Sequence, residues 1–396
     1  MLNDKSRRRK VLLSGGLFHI FHDSIADGLA VLLPFWRTAF ELSLTQVGLI
    51  VTCFESATAL FQIPAGLLGE RYGERRLLTF GTFITALCVM LLAFTGNIYH
   101  LGLLLIIGGL GAGVQHPLAS AMVSKAYEDG NRRIALGTYN FTGDMGKFLF
   151  PAIAALVFSV AGWRQLCFGY GLMGVIMTAV LYLTLRRVQI GGADSQTVNA
   201  GRKSGGWGIE NKRGFISLAL IGFIDAAVRT SLITFLPFVL ISKGMPIESG
   251  GLALSLLFIG GALGKFACGI MAEKIGIIRS IVITEAVTGL GIIYIYAAGL
   301  TWIFVFLPVL GMALNGTSSV LYGTVADFVS AFHVPRAFSL FYTAIIVAAA
   351  LSPPVFGWVS DVAGIGFTVI CVGLAALLTL PVTFILSAEI KTERVR

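Results

Sequence analysis

Ionisable side chains recur at helical spacing along this chain. His19, Asp23 and Asp27 stand four residues apart, with His22 on the shoulder of the same face. Asn140, Asp144 and Lys147 follow at spacings of four and three, with Pro151 four residues later. Asp225 and Arg229 are four apart, and His116 stands directly before Pro117. On an α-helix, residues three or four apart share a face. A buried carboxylate tends to hold its proton, while a nearby cation favours the charged form. Poised between the two, Asp23 or Asp27, with His19, could bind and release a proton. Ammonium and guanidinium groups suit carboxylate or phosphate, so His116, Asn140, Asp144, Lys147, Asp225 and Arg229 form a candidate substrate-contacting set. The bland alternative is that these groups only hydrogen-bond neighbouring helices, and that Asp144 and Lys147 neutralise each other within one turn.

The elements that must position them are long apolar runs. The 396 residues are 56% hydrophobic and only 12% charged, and the mean hydropathy is +0.86. A globular chain carries about 25% charged residues, so the composition is that of a polytopic membrane protein. Runs fall at about 11–36, 44–69, 77–95, 98–124, 133–158, 163–185, 214–241, 248–272, 277–298, 300–327, 337–360 and 364–387. At about 20 residues per crossing, these predict twelve transmembrane helices. An ionisable side chain in such a run costs at least ~2.5–3.5 kcal/mol on insertion scales, so each needs a reason. Asp23, Asp144, Lys147, Asp225 and Arg229 all lie near the middle of their runs, which points to a shared aqueous site.

The net charge of +9 would point to nucleic acid in a soluble protein. Here it is sorted by loop. With the N-terminus cytoplasmic, inward-facing segments hold 23 of the 29 Lys and Arg residues, and outer loops hold only Arg37, Arg164 and Lys243. That asymmetry places both termini in the cytoplasm of a multi-pass cell membrane protein, read as a bacterial inner membrane. The basic N-terminus mimics a signal peptide, but His19, His22, Asp23 and Asp27 interrupt the run that follows. The five cysteines all sit in apolar runs without metal-ligand spacing. No nucleophile motif, metal cluster or phosphate loop is present, so an enzyme is not indicated and no cofactor is implied. The expected partners are a small molecule, a proton or another ion, and the bilayer, without nucleic acid.

One charged turn organises the chain. Gly66-Leu-Leu-Gly-Glu70-Arg71-Tyr-Gly73-Glu74-Arg75-Arg76 separates two apolar runs, and it returns as Gly269-Ile-Met-Ala-Glu273-Lys274-Ile-Gly276-Ile-Ile-Arg279, shifted by 203 residues. At the same shift Leu33-Pro34-Phe35 falls on Leu236-Pro237-Phe238, Gly108 on Gly311, Gly113 on Gly316, Arg133 on Arg336, Tyr139 on Tyr342 and Pro151 on Pro354. Chance hydrophobic similarity would not hold Pro, Arg and Gly in register, so the chain is a duplicated membrane unit. The polar, glycine-rich stretch between the copies reads as a linker. The expected organisation is a six-helix bundle at 1–186, a cytoplasmic linker at 187–212 and a second six-helix bundle at 213–396.

The turn resembles the loop between helices two and three of the major facilitator superfamily, with Glu70 where that family usually has Asp. The resemblance implies an all-α fold of two pseudo-symmetric six-helix halves that rock to alternate access. Gly66, Glu70, Arg71, Gly73, Arg76, Glu273, Gly276 and Arg279 would then be gating residues. A narrower resemblance, confined to the first half, is to the fosmidomycin-resistance-like exporters. It rests on His19 with Asp23, on His116-Pro117-Leu-Ala119-Ser120, and on Gly143-Asp144-Met-Gly146-Lys147-Phe-Leu-Phe150-Pro151. In that branch an amide stands at the place of Asp144, a small residue at Lys147 and glycine at Phe150. The two added charges point to a polar, anionic or zwitterionic solute. Helix four would line the central cavity, while Glu285, in peripheral helix nine, reads as a structural partner. The first functional reading is proton-coupled efflux of a small polar or amphipathic solute, an antiport of the drug-resistance type. The second is uptake of a small organic anion by symport or facilitated diffusion. The third, of another class, is a membrane scaffold or sensor that does not transport.

Overall fold

A computed structural model describes residues 4–127, 132–188, 209–329 and 334–393. Most of the expected linker, and the side chains of Glu70, Arg133 and Arg336, lie outside what it describes. The described residues form α1 (Asp4–Ala26), α2 (Leu33–Ala39), α3 (Leu44–Tyr72), α4 (Glu74–Leu92), α5 (Ile98–Ala112), α6 (Gln115–Ala126), α7 (Arg132–Phe158) and α8 (Trp163–Val188). They continue as α9 (Lys212–Ser242), α10 (Gly250–Ile275), α11 (Ile277–Ala297), α12 (Leu300–Thr324), α13 (Val334–Ala363), α14 (Ile365–Leu377) and α15 (Thr379–Glu393). Twelve stretches are long and apolar enough to cross a membrane, and they coincide with the twelve apolar runs. Among the described residues, the eighth crossing opens with a 3-10 turn at Ile247–Ser249, and three crossings break along their length. The first breaks into a 3-10 turn at Gly28–Leu32 before α2, the fourth is split between α5 and α6, and the twelfth between α14 and α15.

The helices sort into two units. One contains α1, α4–α8 and α3 from Cys53 on; the other contains residues 36–52 and α9–α15. Within the first, α1 packs on α7, α4 on α8 and α4 on α5; within the second, α9 packs on α13, α11 on α14 and α11 on α12. These are corresponding pairs, so the 203-residue repeat is a repeat of packing. The second unit also supplies a distant helix cap. The Asp361 carboxylate of α13 accepts hydrogen bonds from the backbone N–H of Leu44 and Thr45, at 2.8 and 2.9 Å, and from the Thr45 hydroxyl at 2.5 Å. Outward faces are apolar: Leu60, Ile63 and Leu67 of α3 are 65–74% exposed, at the spacing of one helical stripe. Such a stripe is stable against lipid and unstable against water.

The two copies of the charged turn share one backbone solution. Gly73 and Gly276 have φ of 86° and 92°, and each sits between the end of one helix and the start of the next. Only glycine takes that conformation without strain. Around it, Arg71, Arg76, Glu273, Lys274 and Arg279 are exposed, while the buried Glu74 carboxylate takes an ion pair at 2.6 Å from Lys125 of α6. Gly66 differs: it lies inside α3 with nothing within 4 Å of a Cβ built on it. Gly276→Ala should therefore cost ~1–3 kcal/mol, because φ of 92° with ψ of 156° is a backbone region that is essentially glycine-only, although open space surrounds it. Gly66→Ala should be neutral or stabilising by ~0.5–1 kcal/mol. Thermal unfolding of the two variants in detergent checks this; equal shifts would contradict it.

Candidate functional site

The site begins with two glycines. A Cβ on Gly146 of α7 would strike the backbone of Ile20 in α1, and one on Gly143 would lie 2.5 Å from His19 Nε2 and 2.6 Å from Asp23 Oδ2. Their absence of side chains lets α1 and α7 touch at this level. Lys147, one residue beyond the contact, then reaches across to α1. Its ammonium is 2.8 Å from Asp27 Oδ2 and 3.6 Å from Asp23 Oδ2. Asp27 lies just past the end of α1, where the chain turns into the 3-10 segment, but its N–H still bonds the Asp23 carbonyl at 3.2 Å. That bond keeps both carboxylates on the lysine side.

Imidazoles surround the other face of Asp23. His19 Nε2 is 3.4 Å and His22 Nε2 3.8 Å from Asp23 Oδ1. His19 Nδ1 is 2.9 Å from the Tyr139 carbonyl, which can only accept, so Nδ1 is the protonated nitrogen. In neutral His19, Nε2 would then present a lone pair to a carboxylate oxygen. The contact becomes attractive when a proton or a cation sits between them. Tyr139 also stacks on the His19 ring, with centroids 4.2 Å apart, and fixes its plane. His116 of α6 stands edge-on to both rings, at 5.2 Å from His19 and 4.8 Å from His22. It is exposed, whereas His19, His22 and Asp23 are buried, so it forms the accessible rim of the cluster.

His19, Asp23 and His116 each offer a ligand atom, all within 4.8 Å of one another, a donor set of the kind that divalent transition metals accept. The Lys147 ammonium beside the same carboxylate works against a second cation, and a proton is the simpler occupant. The arrangement can thus hold two negative charges and one positive, and it can gain positive charge by protonation of Asp23 or its imidazoles.

Asp23, Asp27, His19, His116 and Lys147 thus converge in the first unit. Lys147 bridges to α1, beyond the pairing within its own helix that its spacing to Asp144 offers. Asp144 is buried and Asn140 is exposed on α7. Asp225 and Arg229 belong to α9 in the second unit, where Asp225 is buried. Sequence reasoning passed over His22 and Tyr139 as site residues. The recurrence of Tyr139 as Tyr342 marked a conserved register between the repeats and carried no sign of the stacking. Because Lys147 and Asp27 touch, Asp27→Asn and Lys147→Gln should be non-additive in thermal stability. The expected coupling is ~0.5–3 kcal/mol, as for residues in direct contact; additive losses in a double-mutant cycle would contradict the bridge.

The family model for the Major Facilitator Superfamily matches residues 11–250 and again 218–396. The chain is 23% identical over 364 residues to the probable sulfoacetate transporter of Cupriavidus necator, covering 85% of this chain and 83% of that protein. It is 24% identical over 320 residues to the fosmidomycin resistance protein of Escherichia coli, covering 77% and 75%. Its fold is similar to that of a bacterial homologue of the human lysosomal transporter Spinster in an inward-facing, unoccupied conformation. There the TM-score is 0.81 at 17% identity, over 98% of each chain. With twelve apolar spans, a duplicated helix packing and a family match to both halves, this chain belongs to the Major Facilitator Superfamily, as a multi-pass membrane transporter of small solutes.

Proposed function

We propose that the protein moves a small organic anion together with protons across the cell membrane by alternating access, with both termini cytoplasmic. The observation that carries this reading is Lys147 held between Asp23 and Asp27 at 3.6 and 2.8 Å. With both carboxylates ionised, the ammonium is fully compensated and has nothing to offer an anion. Protonating one carboxylate, or the imidazoles around Asp23, removes that compensation. The anion then binds Lys147 more strongly, and by reciprocity the bound anion strengthens proton binding. Proton and anion therefore travel together, and a proton gradient drives accumulation. The sulfoacetate named for one relative is a solute of this charge class.

Proton-coupled efflux is the competing reading, and it makes the opposite demand. An antiported solute must compete with the proton, as a cationic group bidding for Asp23 and Asp27 would. His19 and His116 serve either reading, as proton carriers in the first and as rim contacts in the second. Asp144 and Asn140 on α7, with Asp225 and Arg229 on α9, complete the proposed solute-contacting set, and the Gly66–Arg76 and Gly269–Arg279 turns are the proposed gates.

Proteoliposomes decide between them. In counterflow against a panel of carboxylates, sulfonates and phosphate esters, at least one anion should exchange. Lys147→Gln should lower that exchange by about tenfold or more, the cost of ~1.4 kcal/mol or more of lost charge-assisted bonding. Asp23→Asn should abolish coupling to the pH gradient. Transport of a cation with proton movement in the opposite direction would overturn the symport reading.

A further inference from the structure

The first unit contains a donor set that sequence spacing did not indicate. His19 and Asp23 of α1 and His116 of α6 bring their ligand atoms within 4.8 Å of one another, although His116 is far from the other two in sequence. In a tetrahedral site with metal–ligand bonds of about 2.0–2.1 Å, neighbouring ligand atoms stand about 3.3–3.4 Å apart. His19 Nε2 and Asp23 Oδ1 are 3.4 Å apart, so two of the three ligands already span one edge of that tetrahedron. His116, on the exposed rim, has to draw in by about 1.5 Å at most to complete a face.

The orientation of the groups is also that of ligands. A metal-bound imidazole donates its other N–H to a carbonyl or carboxylate, which fixes its tautomer. His19 Nδ1 already donates to the Tyr139 carbonyl at 2.9 Å, and Nε2 is left as a lone pair aimed at Asp23. A metal-bound carboxylate is in turn held by an outer partner. Lys147 stands 3.6 Å from Asp23 Oδ2 and closer to Asp27, at 2.8 Å, whereas His19 and His22 face Asp23 Oδ1. The ammonium thus lowers the affinity for a cation without taking its place. Two carboxylates and one ammonium still leave a negative charge to attract it.

We propose that His19, Asp23 and His116 bind a divalent transition-metal ion of the Zn2+ class, with water in the fourth position, and that the bound ion arrests transport. Imidazole and carboxylate together suit that class of ion. The ion ties α1 to α6 and takes His116 from the rim of the cluster. The arrest rests on the solute-contacting role given above to His116 and Lys147; the binding does not.

Two measurements on the full-length, tag-free protein test this. In detergent, Co2+ as a probe should bind at about one ion per chain with the intense visible absorption of a tetrahedral site, and Zn2+ should displace it. His116→Ala should weaken binding by about tenfold or more, since losing even an outer partner of a metal ligand costs about 10–100-fold. His100→Ala, at the start of α5, should leave it unchanged. Lys147→Gln, which removes the opposing ammonium, should bind more tightly, a gain that a misfolded variant would not show. No tetrahedral band in the wild type, or equal affinity in wild type, His116→Ala and Lys147→Gln, overturns the site. In proteoliposomes, saturating Zn2+ should slow the counterflow of an exchanging anion in the wild type and proportionally much less in His116→Ala; unslowed exchange overturns the arrest. A wild type that exchanges no anion would instead defeat the proton–anion reading itself, while the Co2+ band would still report on the metal site.

Discussion

A lysine ammonium in the middle of an apolar helix has to be compensated where it stands. At an effective dielectric of 20, two unit charges about 4 Å apart attract by ~4 kcal/mol, enough to offset the ~2.5–3.5 kcal/mol insertion cost of one such side chain. Lys147 obtains this from Asp23 and Asp27 across the α1–α7 contact, so this compensation depends on α1 and α7 staying together. That contact in turn depends on the missing side chains of Gly143 and Gly146. Packing and charge are therefore one constraint here. A change in the protonation of α1 is felt by α7, the helix that bears Lys147 and Asp144.

The two units share a scaffold and differ in chemistry. The same helix pairs recur in both, and the 203-residue register puts Asp225 at the place of His22 and Glu285 at the place of Thr82. It puts Gly222 at the place of His19, Ala226 at that of Asp23 and Ala350 at that of Lys147. The first unit thus gathers an ammonium, two carboxylates and three imidazoles. The second buries Asp225 and Glu285 on two of its helices, with Arg229 one turn along α9 from Asp225.

The scaffold was legible because bilayer thickness and backbone hydrogen bonding leave few solutions for a chain of this hydropathy. The runs at 163–185 and 277–298 became α8 and α11 with ends moved by at most three residues. The breaks were harder to see. Gly28 lies under the Phe150 ring, and the 3-10 turn that begins there carries no hydropathy signal. Facing relations within one helix were also legible, as for His19 and Asp23, because 3.6 residues per turn is a local rule. Relations between helices were not. The spacing of Asp144 and Lys147 offers a local pair, and only the close approach of α1 supplies two carboxylates from outside. The Asp361 cap on α3 was likewise hidden, since it joins residues more than 300 positions apart.

The central claim is that Lys147 can exchange a carboxylate for an anion only as a proton arrives. The most direct measurement is the proton count when an anion identified by counterflow binds purified protein in weakly buffered detergent solution. Linkage requires that binding draw protons from solution in proportion to the change in protonation, here about one or more per anion. The expected result is an alkaline shift on binding in the wild type, diminished in Asp23→Asn. Binding of the anion with no pH change, or with acidification, would contradict it.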